Sequence, residues 1–161
     1  MLNIVLLEPE IPPNTGNAMR LCANVGSTLH LVEPLGFTLQ TKALRRAGLD
    51  YRDLAAVHVH TDLESCLTSL AAARPQGTPR IHALSTRGDT RHDQVDWAAG
   101  DVALFGAESR GLPDHVLGDA RLSARIRLPM RPGMRSLNLS NAIAVVAFEA
   151  WRQNGFEGAQ A

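Results

Sequence analysis

Residues 128–141, with the sequence LPMRPGMRSLNLSN, lead from a predicted strand into a long apolar helix. The pattern predicts a strand over Ala124–Leu128 and a helix that Ser136 opens and that runs to about Gln153. Four small polar residues crowd the start of this helix, although one N-cap requires only one of them: they are Ser136, Asn138, Ser140 and Asn141. Polar groups that enter a buried helix need partners, so the surplus predicts a ligand or a tight backbone crossing here.

The helix that follows has no polar face. One apolar stripe comprises Leu139, Ala142, Ile143, Val146 and Ala150, and apolar character continues on the other side through Val145, Phe148 and Trp151. Such a helix is buried on most sides. In a chain this small, the surface expected to cover it is a second copy of the chain, which predicts a homodimer. The alternative is a helix sandwiched within one chain.

Short apolar runs alternate with helical patterns along the rest of the chain. Predicted strands cover Leu2–Leu7, Leu29–Val32, Val57–His60, Arg80–Leu84 and Asp101–Phe105. Between them the pattern predicts a helix over Asn14–Val25 that stops at Gly26, a basic helical turn over Thr41–Ala47, and a helix capped by Asp62 or Thr61 that runs to about Ala73. This order is typical of an α/β fold, a mostly parallel sheet flanked by helices. No linker interrupts it, which predicts a single domain over residues 1–161.

The composition is that of a globular chain without net charge. The 16 basic residues balance 16 acidic ones, which argues against binding nucleic acid by bulk electrostatic attraction. All the basic residues except Lys42 are arginines. Arginine is suited to contact phosphates and bases, but a GC-rich genome would also favour arginine over lysine. The chain has no apolar run of about 18 residues, and its start has no basic region of a signal peptide. We therefore expect no membrane span and a cytoplasmic location.

The pattern of cysteines and histidines predicts no metal site. Cys22 and Cys66 are far apart in helical contexts, where they are expected to be buried apolar residues. The six histidines are scattered, and His58 and His60 alternate on a predicted strand. We interpret these two as residues on the surface of a strand.

A polar motif, Asn14-Thr15-Gly16-Asn17, lies at the predicted start of the first helix. Free backbone N–H groups and the helix dipole favour an anion at such a position. Arg20 lies one turn beyond Gly16 and would project over the same site. The alternative is that Asn14 only caps the helix, Gly16 allows close packing and Arg20 is solvated.

A second motif, Gly106-Ala107-Glu108, follows the predicted strand that ends at Phe105. The ends of such strands are where open α/β sheets bind ligands. Gly106 would let a ligand approach the backbone, and Glu108 would offer a carboxylate to a ribose, an amino group or an arginine. The alternative is a tight turn with a surface glutamate. The glycine fingerprint of dinucleotide-binding folds is absent after the first strand.

Taken in order, these segments resemble the SPOUT superfamily of knotted RNA 2′-O-methyltransferases, and within it the small tRNA (cytidine(34)-2′-O)-methyltransferase group. The likeness covers nearly the whole chain and is specific as an ordered set. It is carried by Leu2–Leu6, Glu8–Asn17, Arg20–Asn24, Arg45–Tyr51, Arg110–Pro113 and Asn138–Ala142.

The resemblance implies a C-terminal trefoil knot, an exception to the rule that chains do not thread loops. It also implies homodimers, no metal, and a methyl donor, S-adenosylmethionine (AdoMet), held against three loops of the knot. Carried over by position, the AdoMet-binding residues are Leu84, Ser85, Thr86, Gly106, Ala107, Glu108, Leu128, Met130, Ser136 and Leu137.

For the chemistry, the resemblance implies Arg20 as the catalytic residue, with Ser136 and Asn138 as its positioning partners. Because a guanidinium stays protonated in proteins, we expect Arg20 to hold a phosphate and stabilise the developing alkoxide rather than act as a base. The predicted RNA-binding residues are Asn14, Arg20, Lys42, Arg45, Arg46 and Arg52. An unstacked nucleotide of the tRNA anticodon loop fits this mode of recognition.

The function expected from the resemblance is AdoMet-dependent methylation of the ribose 2′-hydroxyl of wobble nucleotide 34, a cytidine or a modified uridine, in tRNA. One alternative is 2′-O-methylation of another position in tRNA or rRNA. The other is a non-catalytic RNA-binding protein that kept the fold.

Overall fold

The computed structural model describes residues 1–38, 57–74 and 77–160. Its strands are β1 (Asn3–Leu7), β2 (Thr28–Val32), β3 (Val57–His60), β4 (Ile81–Leu84), β5 (Thr90–Arg91), β6 (Val102–Phe105) and β7 (Leu122–Arg127). Its helices are α1 (Pro12–Val25), α2 (Leu63–Ala72), α3 (Asp114–Leu117) and α4 (Leu139–Gln153), with a 3-10 turn over His92–Gln94. The predicted elements within the described ranges are therefore present, with ends displaced by up to three residues. The basic turn predicted over 41–47 lies outside the described residues.

The strands form one sheet in the order β3-β2-β1-β6-β4-β7-β5, and every pairing in it is parallel. The predicted α/β class with a mostly parallel sheet is thus confirmed. In a parallel sheet the carboxyl ends of the strands lie along one edge, so the loops after β1, β4, β6 and β7 all begin there.

Both faces of the sheet are covered, as a parallel sheet requires. Ile4 and Leu6 of β1 face a core that includes Met19 of α1 and Ile143 of α4. The alternate residues Val5 and Leu7 face a second core with side chains of α2 and α3. Because successive side chains of β1 point to opposite faces of the sheet, they pack alternately against the two helical layers.

Helix α1 begins at Pro12, two residues before the predicted start. Proline suits the first positions of a helix because its missing N–H has no partner there. The helix ends as predicted, with Gly26 in the left-handed region at φ 69°. Of the two predicted caps of α2, Asp62 is the residue that acts, since its carboxylate accepts a hydrogen bond from Ser65 N at 2.7 Å.

Helix α4 begins at Leu139, so the prediction that Ser136 opens it was wrong. Asn138 is the cap, and its Oδ1 accepts hydrogen bonds from the backbone N–H groups of Ser140 and Asn141 at 2.9 and 3.4 Å. Strand β7 ends at Arg127, which leaves residues 128–138 as a loop along the carboxyl edge.

One side of α4 is exposed among the described residues. Ile143, Val146 and Ala150 are buried, but Val145 and Phe148 are 39% and 47% exposed. Within the part of the chain that the structure describes, the helix is therefore not sandwiched, and the homodimer stays a prediction. Among the described residues, no helix combines the length and hydropathy that a membrane span requires.

A close backbone crossing joins the loop after β4 to β7. A Cβ placed on Gly88 would lie only 2.4 Å from the carbonyl carbon of Ile126. Ser85 N donates to the Ile126 carbonyl at 2.8 Å, and Asp89 N donates to the Arg125 carbonyl at 3.1 Å. This crossing lies at Ile126 and not at the start of α4, so the tight crossing predicted for the small polar residues there stays a prediction.

Candidate active site

A pocket of about 510 Å³ lies at the carboxyl edge of the sheet, where the loops after β4, β6 and β7 meet the start of α4. Its walls combine apolar side chains from the strand ends with backbone from the loops. The lining residues that carry the argument below are Asn14, Leu84, Ser85, Thr86, Gly106, Ala107, Glu108, Leu128, Met130, Ser136, Leu137, Asn138 and Leu139.

The structure brings together all ten residues that the resemblance assigns to AdoMet. Those after β4 (Leu84, Ser85, Thr86), after β6 (Gly106, Ala107, Glu108) and around the start of α4 (Leu128, Met130, Ser136, Leu137) line this one pocket. Asn14 and Asn138 line it as well. Residues from three separate stretches of sequence thus form one surface, although their role in binding stays a prediction.

A hydrogen-bonded chain of side chains closes one end of the pocket. Asn14, only 5% exposed, donates from Nδ2 to Glu108 Oε1 at 3.0 Å. Asn138 donates from Nδ2 to Asn14 Oδ1 at 2.8 Å, and its own Oδ1 accepts from the Ser140 hydroxyl at 2.7 Å. These bonds connect β6, α1 and α4, which are distant in sequence. They fix the rotamer of each member and hold the pocket end in one arrangement.

Glu108 also supplies the anion that the start of α1 was predicted to attract. Its carboxylate accepts from Glu10 N at 2.8 Å and from Ile11 N at 3.3 Å, just before the helix begins. The helix dipole favours a negative charge there. The alternative in which Asn14 only caps the helix was wrong, because Ile11 occupies the cap position and Asn14 bridges to Glu108 instead.

Gly106 lies where protein backbone approaches it closely, and its contact with a ligand stays a prediction. A Cβ at this position would lie 2.1 Å from the carbonyl carbon of Gly111, far inside van der Waals contact. The loop folds back through an antiparallel bridge between Ala107 and Gly111, with Gly111 N donating to the Ala107 carbonyl at 2.8 Å. The absent side chain thus lets the loop after β6 turn tightly beneath the pocket.

The loop between β1 and α1 is tied to the loop after β6. The carboxylate of Glu10 accepts from Ser109 N at 3.0 Å and from the Ser109 hydroxyl at 2.8 Å. Arg110 forms an ion pair with Glu8 beside it. Sequence reasoning did not predict these links, because residues about a hundred positions apart give no local signal of pairing.

Arg20 does not lie with the other predicted site residues. It is exposed on α1, and the described residues that line the pocket do not include it. Asn17, one turn earlier, is directed toward α4, with Nδ2 3.5 Å from the Ser140 hydroxyl. Four predicted RNA-binding residues, Lys42, Arg45, Arg46 and Arg52, lie outside the described residues.

Sequence reasoning missed the apolar floor of the pocket. Phe105, Leu112, Ile126, Leu139 and Ala142 all contribute to it. Apolar residues at strand ends look like ordinary core in a sequence, so only their position after folding distinguishes them. This floor and the backbone-rich loops suit a planar, uncharged group, while the oxygens of Glu108 are already taken by donors of the protein. The arrangement is therefore suited to holding and orienting a ligand.

The two cysteines lie outside the pocket and are buried, as predicted. Burial raises the pKa of the Cys22 thiol and of the Cys66 thiol to about 12, so neither is a thiolate nucleophile near neutral pH. His58 is exposed, as expected for a surface strand residue, but His60 is half-buried and contacts the buried His30. The interpretation of His60 as a plain surface residue was wrong.

Comparison with known proteins gives matches over nearly the whole chain. The model of the SpoU rRNA Methylase family matches residues 1–148. The tRNA (cytidine(34)-2'-O)-methyltransferase of Photorhabdus asymbiotica is 54% identical over 159 residues, which cover 99% of this chain and 98% of that protein.

Two solved structures share the fold. One, from work on the 2-OH methylation of C/U34 on tRNA, is 43% identical with a TM-score of 0.85 and covers 98% of each chain. The other is the SpoU methyltransferase AviRb from Streptomyces viridochromogenes in complex with AdoMet. It is 21% identical with a TM-score of 0.82, and the match covers 99% of this chain and 59% of that one.

Proposed function

Because this chain belongs to the SpoU rRNA Methylase family, we propose that it transfers a methyl group from AdoMet to the ribose 2′-hydroxyl of nucleotide 34 in tRNA. The observation that carries this proposal is the 54% identity, over nearly the full length of both chains, to a tRNA (cytidine(34)-2'-O)-methyltransferase. The family also implies the C-terminal trefoil knot, which agrees with the close crossing of Gly88 and Ile126. We expect the protein to act in the cytoplasm, where its substrate is found.

The pocket at the carboxyl edge fits AdoMet in size and chemistry. Pockets of about 300–1,000 Å³ enclose ligands of this size, and this one measures about 510 Å³. Leu84, Leu128 and Leu139 offer apolar walls to an adenine. Backbone and hydroxyl groups of the loops after β4 and before α4 offer hydrogen bonds to a ribose and an amino acid group. The ten residues named above would hold the cofactor.

AdoMet, when bound, supplies a methyl group that is already activated by its attachment to a sulfonium. The chain then has to orient the 2′-oxygen and stabilise the charge that develops on it. Asn138 is held by Asn14 and Ser140, so it acts as a positioning residue. Ser136 is exposed at the pocket wall, where its hydroxyl can accept or relay the proton of the ribose.

Arg20 supplies the positive charge of the reaction. Since its guanidinium stays protonated, it holds a phosphate of the RNA and stabilises the alkoxide, while the proton leaves through a phosphate, Ser136 or water. Arg20 lies outside the pocket of its own chain, and α4 exposes Val145 and Phe148. We therefore propose a homodimer in which Arg20 of one chain serves the pocket of the other.

Mixed dimers test this arrangement. Arg20→Ala removes the guanidinium, and Thr86→Trp blocks the pocket from an exposed lining position. In an equal mixture of the two variants, half the dimers are mixed and each regains one intact site, so about a quarter of wild-type activity is expected. If Arg20 served its own chain, the mixture would stay inactive.

The dimer itself is tested at α4. Phe148→Glu places a charge on the exposed apolar side of this helix and should shift the protein to monomers in sedimentation.

The substrate is tested by incubating the protein with labelled AdoMet and total tRNA, followed by mapping of the labelled nucleosides. The proposed function predicts label in a 2′-O-methyl ribose at position 34, and a strongly lowered rate of labelling with Arg20→Ala. Label in a base would contradict ribose methylation. A 2′-O-methyl group at another tRNA position, or in rRNA only, would favour the first alternative. Absence of AdoMet binding in calorimetry would favour a non-catalytic RNA-binding protein.

A further inference from the structure

A cluster of nitrogen and sulfur ligand atoms lies on the other half of the sheet from the pocket. His30 of β2, His60 of β3 and Cys66 of α2 each contribute one atom, and these atoms all lie within 4.8 Å of one another. His30 Nδ1 and His60 Nε2 are 3.0 Å apart. The three residues come from three different elements, so the packing of α2 on the sheet is what brings them together.

We propose that His30, His60 and Cys66 form a binding site for one zinc ion, which joins β2, β3 and α2. Two imidazoles and a thiolate are ligands that Zn²⁺ prefers, with water in the fourth position. Zinc bonds of about 2.0–2.3 Å separate ligand atoms by about 3.5 Å, so the present spread of 4.8 Å requires only a side-chain adjustment. The half-buried His60 gives the ion a path from solvent.

The environment of His30 directs the correct nitrogen toward the proposed ion. Its Nε2 lies 3.3 Å from Asn3 Oδ1, which can only accept, so Nε2 carries the proton and Nδ1 has the free lone pair. Asn3 is itself held, since its Nδ2 donates to the Gly100 carbonyl at 3.2 Å. A histidine whose second nitrogen donates to a fixed oxygen is the usual arrangement around protein-bound metals.

Binding of zinc would change the protons of the three proposed ligands. In the metal-free protein His60 Nε2 donates to His30 Nδ1, and zinc would replace that shared proton, with His60 changing to its other tautomer. Cys66 would release its thiol proton to solvent.

The site is separate from methyl transfer. None of its three residues lines the pocket, which lies at the ends of β4, β6 and β7. The prediction that methyl transfer needs no metal concerns the pocket and not the proposed zinc site, and it stays a prediction. An ion that joins β2, β3 and α2 would raise the melting temperature of the chain, because it binds the folded state only.

Cobalt provides a direct test, since a thiolate bound to Co²⁺ gives a charge-transfer band in the near ultraviolet. Untagged protein is stripped with a chelator and titrated with Co²⁺, which Zn²⁺ then displaces. We expect one Co²⁺ per chain, the band in wild type, and its loss in Cys66→Ser. The matched control Cys22→Ser, which alters the other buried thiol, should keep the band.

The histidines are tested in the same way, with metal affinity as the readout. His60→Gln should weaken Zn²⁺ binding by at least about 100-fold, whereas the exposed His58→Gln on the same strand should bind as wild type does. Asn3→Ala should weaken it by about 10- to 100-fold. Circular dichroism establishes that each variant is folded. Because His60 is only half-buried, His60→Gln disturbs the fold less than a change at the buried Cys66, so the test does not depend on Cys66→Ser alone. Absence of stoichiometric binding, or a band that survives in Cys66→Ser, would overturn the proposal.

Discussion

The carboxyl edge of the sheet and the outer surface of α1 and α4 differ in whether their side chains have partners within one chain. At the edge, Glu108, Asn14 and Asn138 pair with one another within one chain. On the outer surface, Arg20 and Phe148 are exposed. The difference fits our proposal, in which one chain forms the pocket for AdoMet and Arg20 acts only when a second chain or the RNA covers the outer surface.

The largest effect is expected on the outer surface. Arg20→Ala should lower turnover by about a thousandfold, equivalent to about 4 kcal/mol of transition-state stabilisation. AdoMet affinity in calorimetry should stay at the wild-type value, because Arg20 lies outside the pocket of its own chain and is proposed to act on the RNA rather than on AdoMet. Arg20→Lys should keep measurable turnover if charge alone is needed and lose it if the planar fork is needed. Arg121→Ala, which removes an arginine paired with Asp119 and Glu64, is the control and should change neither quantity. A loss of AdoMet affinity in Arg20→Ala would remove the contrast between the two regions.

Gly106→Ala should cause the largest loss of stability at the carboxyl edge. The new Cβ meets the backbone of Gly111 at 2.1 Å, so the loop has to move, at a cost of about 3 kcal/mol in the free energy of unfolding. Urea denaturation measures this change. Gly111→Ala is the matched control: it has a φ of 69° but free space around the Cβ, so backbone strain alone should cost about 1–2 kcal/mol. Equal losses in the two variants would mean that close packing at Gly106 is not the cause.

Glu108→Gln should have an intermediate effect. The amide places an NH₂ group among donors from Glu10 N, Ile11 N and Asn14, which should lower the free energy of unfolding by about 1–3 kcal/mol. The pocket end should loosen as well, so AdoMet affinity should fall in calorimetry. Glu10→Gln, at a carboxylate that accepts from Ser109 N and the Ser109 hydroxyl, serves for comparison and should cost less, because these hydrogen bonds are exposed. Unchanged affinity in Glu108→Gln would show that the hydrogen-bonded chain does not shape the pocket.

Two substitutions of Asn138 should have the smallest effects, and their difference isolates the cap that Oδ1 provides to α4. Asn138→Asp keeps the oxygen that caps α4 but loses the donation to Asn14, and Asn138→Ala loses both. The loss of the cap should make the alanine variant less stable than the aspartate variant by about 1 kcal/mol in thermal unfolding. If the two variants unfold alike, the cap contributes nothing and the link to Asn14 accounts for the whole effect.

The sequence predicted much of the pocket but less of what holds it together. The ten residues that the resemblance assigns to AdoMet line one cavity, because ordered motifs at strand ends determine where loops lie in a parallel sheet. The start of α4 was placed three residues early, since any of the small polar residues before it is an acceptable cap. The hydrogen bonds of Glu108 within the protein were not predicted, because its partners lie almost a hundred residues away in sequence.

By itself, the sequence determined the fold class, the order of the elements and the family, because hydrophobic periodicity and ordered motifs are local properties of the chain. Only the tertiary structure decided that Glu108 supplies the anion at α1, that Gly106 is needed by Gly111, and that Arg20 lies apart from the pocket. It also decided that His30, His60 and Cys66 meet beneath α2. The physical reason is the same in each case: these contacts join segments distant in sequence, and their geometry exists only after the sheet and helices have packed.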